Sequence, residues 1–216
     1  YRSIKKIGQL FSELSYGKLL EHHRDITKSN PKPLPVPFQK LISSNVMFID
    51  IPLNNEDSIY KIRQLFYSSY HIYSAILVSE IIKYFDSTLT EGDNWSIGLI
   101  APYKAQAVMM NKLIASFGIS DKLKIYADTV HGFQGDECDI VFFISNPNNY
   151  RYTGHSKCLL SKEYIYNVAI SRAKDYLIIL HPFFEIQDNP FINKIKSTYH
   201  SNFGNPFINK ASDFEK

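Results

Sequence analysis

Three carboxylates crowd into the stretch ADTVHGFQGDECDIVFF, residues 127–143: Asp136, Glu137 and Asp139. Acids this close are the side chains that hold a divalent cation on a nucleotide, or activate water beside one. In open α/β sheets such ligand groups gather beyond the carboxyl ends of the strands. Here the acids come before the apolar run IVFFI, which places them at the amino end of a strand or just outside it. The sequence also lacks G-x-x-x-x-G-K-[ST]; the Gly17–Lys18 pair has no first glycine and is followed by Leu19. The chain is therefore expected neither to hold a metal nor to hydrolyse a nucleotide by itself. A self-contained metal-dependent hydrolase built on the three acids is the competing reading.

The other reactive side chains are sparse. Two cysteines, Cys138 and Cys158, make neither a disulfide framework nor a zinc site. They point to a reducing compartment, cytoplasmic or, in a eukaryote, nuclear. Cys138 has no base nearby in sequence and reads as a small core residue. A formal charge of +3 over 216 residues is an ordinary solvated surface and does not by itself argue for nucleic acid. No apolar run is long enough for a membrane span, and no signal peptide opens the chain. Tyr1 in place of Met suggests an excised fragment.

Elements that would position these residues follow from hydrophobic periodicity. Residues 3–20 place Ile4, Ile7, Leu10, Phe11 and Leu14 on one helical face. Pro31, Pro33, Pro35 and Pro37 alternate through an extended connector. Beyond it, apolar runs at 45–51, 96–101, 122–127, 139–145 and 176–181 read as buried strands. Helical patterns at about 67–85, 104–117 and 161–172 lie between them. Short apolar strands separated by amphipathic helices predict an α/β fold with a mostly parallel sheet covered on both faces. The hexapeptide NPFINK occurs at 189–194 and at 205–210, and each copy predicts a helix start with Asn as cap and Pro in the first turn.

Read whole, TVHGFQGDECDIVFF is similar to the T-V-x-x-F-Q-G-x-E-x-D element of superfamily 1 helicases. LIAPYKAQ (99–106) resembles the family's P-Y-x-x-Q signature, and YNVAISRAK (166–174) its N-V-A-[LI]-[ST]-R-A motif. Tyr1-Arg2 and FSELSYGKL are similar to the element that opens the second motor domain. Four elements in the family's order resemble the second, RecA-like, P-loop-NTPase-type domain of the 1B branch, which includes the helicase of nonsense-mediated decay. The sequence departs from the common pattern at His131, where Asp is frequent, and at Ser171, where Thr is frequent.

The resemblance implies a division of roles. Residues 1–185 would be the motor domain, its first ~40 residues a helix plus the Pro-rich connector, and 186–216 a helical extension or tail. ATP and Mg²⁺ would be held mainly by an N-terminal motor domain missing from this stretch. Arg172 would be the arginine finger, expected toward the sheet's carboxyl edge on a crevice shared with that domain, and Arg2 a second cation. Gly135 and Glu137 would lie beside the ribose, with Gln134 coupling nucleotide and nucleic acid; Glu137 otherwise pairs with a surface Lys. Thr129 would contact phosphates of single-stranded DNA or RNA. Tyr103 and Gln106 would touch the same strand, Tyr103 alternatively serving packing. His131 would bind a phosphate or connect the two sites, or be structural. The implied activity is ATP-driven translocation and unwinding by the whole protein. A non-catalytic nucleic-acid-binding scaffold that keeps the motor fold is the alternative.

Overall fold

In the computed structural model, described for residues 3–17, 19, 30–54, 56, 58–133, 137–146 and 158–214, six strands form one parallel sheet. They are β1 (Val46–Asp50), β4 (Trp95–Ala101), β5 (Leu123–Thr129), β6 (Cys138–Ile144), β7 (Ala173–His181) and β8 (Ile208–Lys210), in the order β5-β4-β6-β7-β1-β8. Side chains alternate across the sheet, as the period of two requires. Phe48, Val141, Phe143, Leu177 and Ile179 face one apolar core, while Met47, Ile49, Ile140, Phe142, Ile178 and Leu180 face the other. Both faces are buried, which is why these strands read as unbroken apolar runs. The α/β class and the two-sided sheet are as the sequence predicts.

Helices α1 (Lys5–Ser15), α5 (Glu163–Ser171) and α6 (Pro190–Phe203) cover the first face; α3 (Ile72–Ser87) and α4 (Lys104–Ala115) cover the second. Of the expected α1 stripe, Ile4, Ile7, Leu10 and Leu14 are buried and Phe11 is partly buried. Residues 186–203 share this core: Ile186, Ile192, Ile195 and Tyr199 pack in the same cluster as Phe48 and Ile179, whereas Ala211 and Phe214 pack on the other face.

Three local expectations are corrected. The helix expected from residue 67 starts only at Ile72. Residues 62–71 instead form a two-stranded hairpin, β2 (Ile62–Leu65) and β3 (Ser68–His71), which no Gly or Asn turn signal announces. The proline connector ends in a single helical turn, α2 (Val36–Gln39), because Pro37 sits in its first turn, where a missing N–H costs nothing. The two NPFINK copies differ. In the first, Asn189 Oδ1 accepts from the N–H groups of Phe191 and Ile192, both at 3.0 Å, and α6 begins as expected. The second copy supplies β8, with Ile208, Asn209 and Lys210 paired in parallel with Phe48, Ile49 and Asp50. The open edge of β1 decides its conformation against its local helix-start signal.

One connection is unusual. β5 ends at the carboxyl edge of the sheet and β6 begins at the amino edge, so the chain returns across the sheet between Thr129 and Cys138. Phe133 is buried in this crossover and lies against β4 where Gly98 has no side chain. A Cβ on Gly98 would stand 2.9 Å from Phe133 Cζ and 3.3 Å from Cys138 Sγ. Gly98→Ala is therefore expected to destabilise the fold by about 1–3 kcal/mol through overpacking. Chemical denaturation reads that loss; an unshifted midpoint would show that the ring yields freely.

Candidate functional site

The expected site residues sort onto the two opposite edges of the sheet. Arg172 is the C-cap of α5 and directly precedes β7, so it lies at the amino edge and not at the carboxyl edge. This corrects its expected placement, and the reason is directional: a helix that feeds a parallel strand ends where that strand starts. The position is fixed by backbone contacts, because the Arg172 carbonyl accepts from Cys138 N–H at 2.9 Å. Glu137, half-buried, immediately precedes that cysteine. On the other side, Ser3 Oγ donates to the Ala173 carbonyl at 2.6 Å and Ile4 N–H to the Lys174 carbonyl at 2.8 Å. The chain just after Arg2, the residue before Cys138 and the end of α5 thus meet at one place.

The Arg172 guanidinium is half-buried. Its Nε and Nη2 donate to Ser171 Oγ at 3.2 and 3.0 Å, while that hydroxyl donates to the Val168 carbonyl at 2.9 Å. Ser171, the departure from the more frequent Thr, keeps the hydroxyl that aims the fork. Arg2, Gln134, Gly135 and Asp136 lie outside the described residues.

Asp139 has a different occupation from the metal role of the competing hydrolase reading. Its Oδ1 is 2.9 Å from Lys174 Nζ, and its Oδ2 accepts from Ser96 N–H at 2.9 Å and Ser96 Oγ at 2.8 Å. Lys32 Nζ stands 3.8 Å away and also lies over the Trp95 ring at 4.1 Å. Burial pushes the Asp139 carboxyl up, but the Lys174 and Ser96 hydrogen bonds and the Lys174 charge outweigh it, and the net shift is downward. The carboxylate ties the starts of β4, β6 and β7 together. Among the described residues no group of three or more His, Cys, Asp or Glu is placed to hold a metal.

The carboxyl edge carries the rest. Thr129 ends β5, half-buried, and its Oγ1 accepts from Gly132 N–H at 3.2 Å, which leaves the O–H able to donate to an incoming oxygen. His131 is exposed and packs its ring 5.7 Å from that of Tyr164, near the start of α5. The loop after β5 therefore touches one end of the helix whose other end is Arg172.

Tyr103 and Gln106 are both buried. Tyr103 is 3% exposed; its hydroxyl accepts from Leu159 N–H at 3.3 Å and lies 3.8 Å from Cys158 Sγ. Burial, with Cys158 beside it, pushes the Tyr103 hydroxyl up and keeps it neutral. Gln106 is 0% exposed; its Oε1 accepts from His71 N–H at 2.7 Å and its Nε2 donates to the His71 carbonyl at 3.4 Å. Both side chains are consumed in holding neighbouring elements, Tyr103 the entry to α5 and Gln106 the hairpin. A signal for this exists in the sequence: Tyr103, Gln106, Ala107 and Met110 follow i, i+3, i+4, i+7 and form the buried stripe of α4. No helix among the described residues is long and apolar enough to cross a membrane.

Comparison with known proteins agrees with the motif set. The helicase sen1 of Schizosaccharomyces pombe (strain 972 / ATCC 24843) is 32% identical over 109 residues, 50% of this chain and 6% of that protein. The chain thus covers only a small part of the relative's length. The crystal structure of the C-terminal domain of a possible DNA helicase from Lactobacillus plantarum WCFS1 superimposes with a TM-score of 0.42 at 14% identity, over 83% of this chain and 86% of that one. A family model described as an AAA domain matches residues 1–181. That match takes in both edges of the sheet and every element that carries a motif, and the chain belongs to this AAA-domain family, with the motif set of a superfamily 1 helicase C-terminal domain.

Proposed function

We propose that this domain is one wall of an ATP-driven motor that moves along single-stranded DNA or RNA, 5′ to 3′ as in the branch it resembles. The opposite wall is a phosphate-loop domain of the same longer chain, which holds ATP and Mg²⁺. The nucleotide supplies the free energy of its γ-phosphoryl transfer to water. Arg172 contributes a permanently charged fork to the γ-phosphate oxygens as charge builds there, with Arg2 as a second cation. Glu137, near Gly135 in sequence, accepts from a ribose hydroxyl, and Gln134 couples nucleotide and nucleic acid. Thr129 holds the nucleic-acid backbone through its hydroxyl and reads no base.

The observation that carries this reading is the placement of the family's motifs on two edges of one sheet, joined directly by residues 130–137. A shift of the Glu137 end, caused by closure on a nucleotide, is passed along eight residues to Thr129. His131, packed on Tyr164, connects the same loop to α5. The residues present suit a triphosphate's outer face and not its metal, since the Asp139 oxygens are engaged by Lys174 and Ser96.

The complete gene product is expected to hydrolyse ATP, and single strands are expected to stimulate it. Thr129→Ala in that protein is expected to weaken binding to all single-stranded sequences alike, by about 10- to 100-fold, the loss of one hydrogen bond to a charged oxygen. Fluorescence anisotropy with several homopolymers measures this. Loss confined to some sequences would exclude a backbone-only contact. Strand binding by a complete product with no ATPase would favour the non-catalytic scaffold.

A further inference from the structure

The hairpin β2–β3 ends in a tip that the fold leaves uncovered. Phe66 and Tyr67 are each 98% exposed and the preceding Leu65 is 52% exposed. Two fully solvated aromatic rings side by side are unfavourable on a surface with no other use for them. Phe66 is also the non-glycine residue with positive φ among the described residues, at 37°. It occupies the first position of a two-residue turn between Leu65 and Ser68, where hairpins with positive φ favour glycine. A bulky side chain there is strained, and strain of this kind collects at binding sites.

The tip is nevertheless held in a defined place. Ser68 Oγ accepts from Ala105 N–H at 2.8 Å, and Gln106 grips both backbone groups of His71. Both anchors lie in the first turn of α4, which follows β4 at its carboxyl end. Ala101, at that end, pairs with Thr129. The hairpin and Thr129 therefore belong to the same edge, with exposed Lys104 between them and Lys61 and Arg63 on the hairpin's approach.

We propose that Phe66 and Tyr67 form a stacking platform for unpaired bases of the strand whose phosphates Thr129 contacts. The proposal rests on the nucleic-acid reading of the carboxyl edge. Every base has a π-face, so the rings accept any sequence, and neighbouring Lys and Arg side chains meet the backbone between stacked bases. Only unpaired bases expose the faces that these rings need. In this arrangement Gln106 is a positioning residue: it touches no strand itself and sets where the rings stand.

The test uses the complete protein and fluorescence anisotropy on oligo-dT, oligo-rU and an abasic strand of equal length. The double variant Phe66→Gly/Tyr67→Ala is expected to bind the base-bearing strands about 10- to 100-fold more weakly. Its affinity for the abasic strand is expected to equal that of the unaltered protein. Thr129→Ala is expected to weaken all strands alike. Phe66→Gly alone is expected to leave Tm unchanged or raised, because glycine relieves the positive φ; a purely structural ring would lower it. Equal losses on base-bearing and abasic strands would overturn the stacking role. So would an unaffected double variant beside a weakened Thr129→Ala, an outcome that would assign the rings to a protein partner. Failure of the unaltered protein to bind any strand would refute the nucleic-acid reading itself, a result separate from these.

Discussion

Replacing Arg172 by Ala in the complete protein is expected to lower kcat for ATP by a factor on the order of 10³–10⁵, roughly 4–7 kcal/mol of barrier, with ATP affinity changed little. The asymmetry follows from when the guanidinium acts. Charge on the γ-phosphate oxygens grows in the transition state, and a cation supplied from the opposite domain interacts more strongly there than with bound ATP. The fold fixes the residue without needing its side chain, since the Arg172 carbonyl is held by Cys138 and Ala173 starts β7. Arg172→Ala is therefore expected to fold normally. Arg172→Lys keeps the charge but loses the planar fork that now rests on Ser171 Oγ, and is expected to recover only part of the rate. Steady-state ATPase with a separate measurement of nucleotide binding decides the matter. Full turnover in Arg172→Ala would remove the finger from the mechanism.

Stability is expected to fall steeply between pH 6.5 and 4, because two histidines are buried as neutral rings. Burial lowers both His71 and His181 to about 4. Burial outweighs the backbone carbonyls that face each ring and favour its charge. In His71, Nδ1 accepts from Ser74 N–H at 3.4 Å and Nε2–H donates to the Tyr60 carbonyl at 3.0 Å. In His181, Nδ1 lies 3.2 Å from both the hydroxyl and the carbonyl of Ser145, and Nε2 lies 3.2 Å from the Ile186 carbonyl. An unfolded histidine titrates near 6.5, so between 6.5 and 4 the unfolded chain binds more protons than the folded one. Folding stability is then complete above pH 6.5 and is lost as the pH drops, by about 3 kcal/mol per ring at the bottom of the window. Burial pushes the Asp50 carboxyl up, against the Phe184 N–H that favours its charge, and this acts with the opposite sign near the bottom of the window. Urea midpoints at pH 7.5, 5.5 and 4.5 measure the loss. A flat profile would contradict buried neutral imidazoles.

The strands were legible because a sheet covered on both faces leaves continuous apolar runs, and IVFFI or YLIIL could be little else. Arg172, Glu137 and Thr129, the proposed site residues, stand out in the sequence because spacing within motifs survives without knowledge of the fold. Their edges were not. Rules about carboxyl ends describe where one domain gathers its own ligands, whereas Arg172 follows a helix and meets its strand at the start. Tyr103 and Gln106 matched a motif, yet a motif does not say which way a side chain turns, and the α4 stripe turned both inward. The hairpin escaped because its turn is Phe-Tyr, which carries no preference for reversing the chain.

The paired NPFINK segments show how little of a conformation six residues can own. One copy is a helix because Asn189, capping α6, also donates to the Tyr166 hydroxyl at 2.6 Å; the other is a strand because β1 offers it partners. The Tyr166 phenol projects from α5 into the core and ties the cap of α6 to that helix. The same six residues thus close one helix onto the core and extend the sheet by one strand.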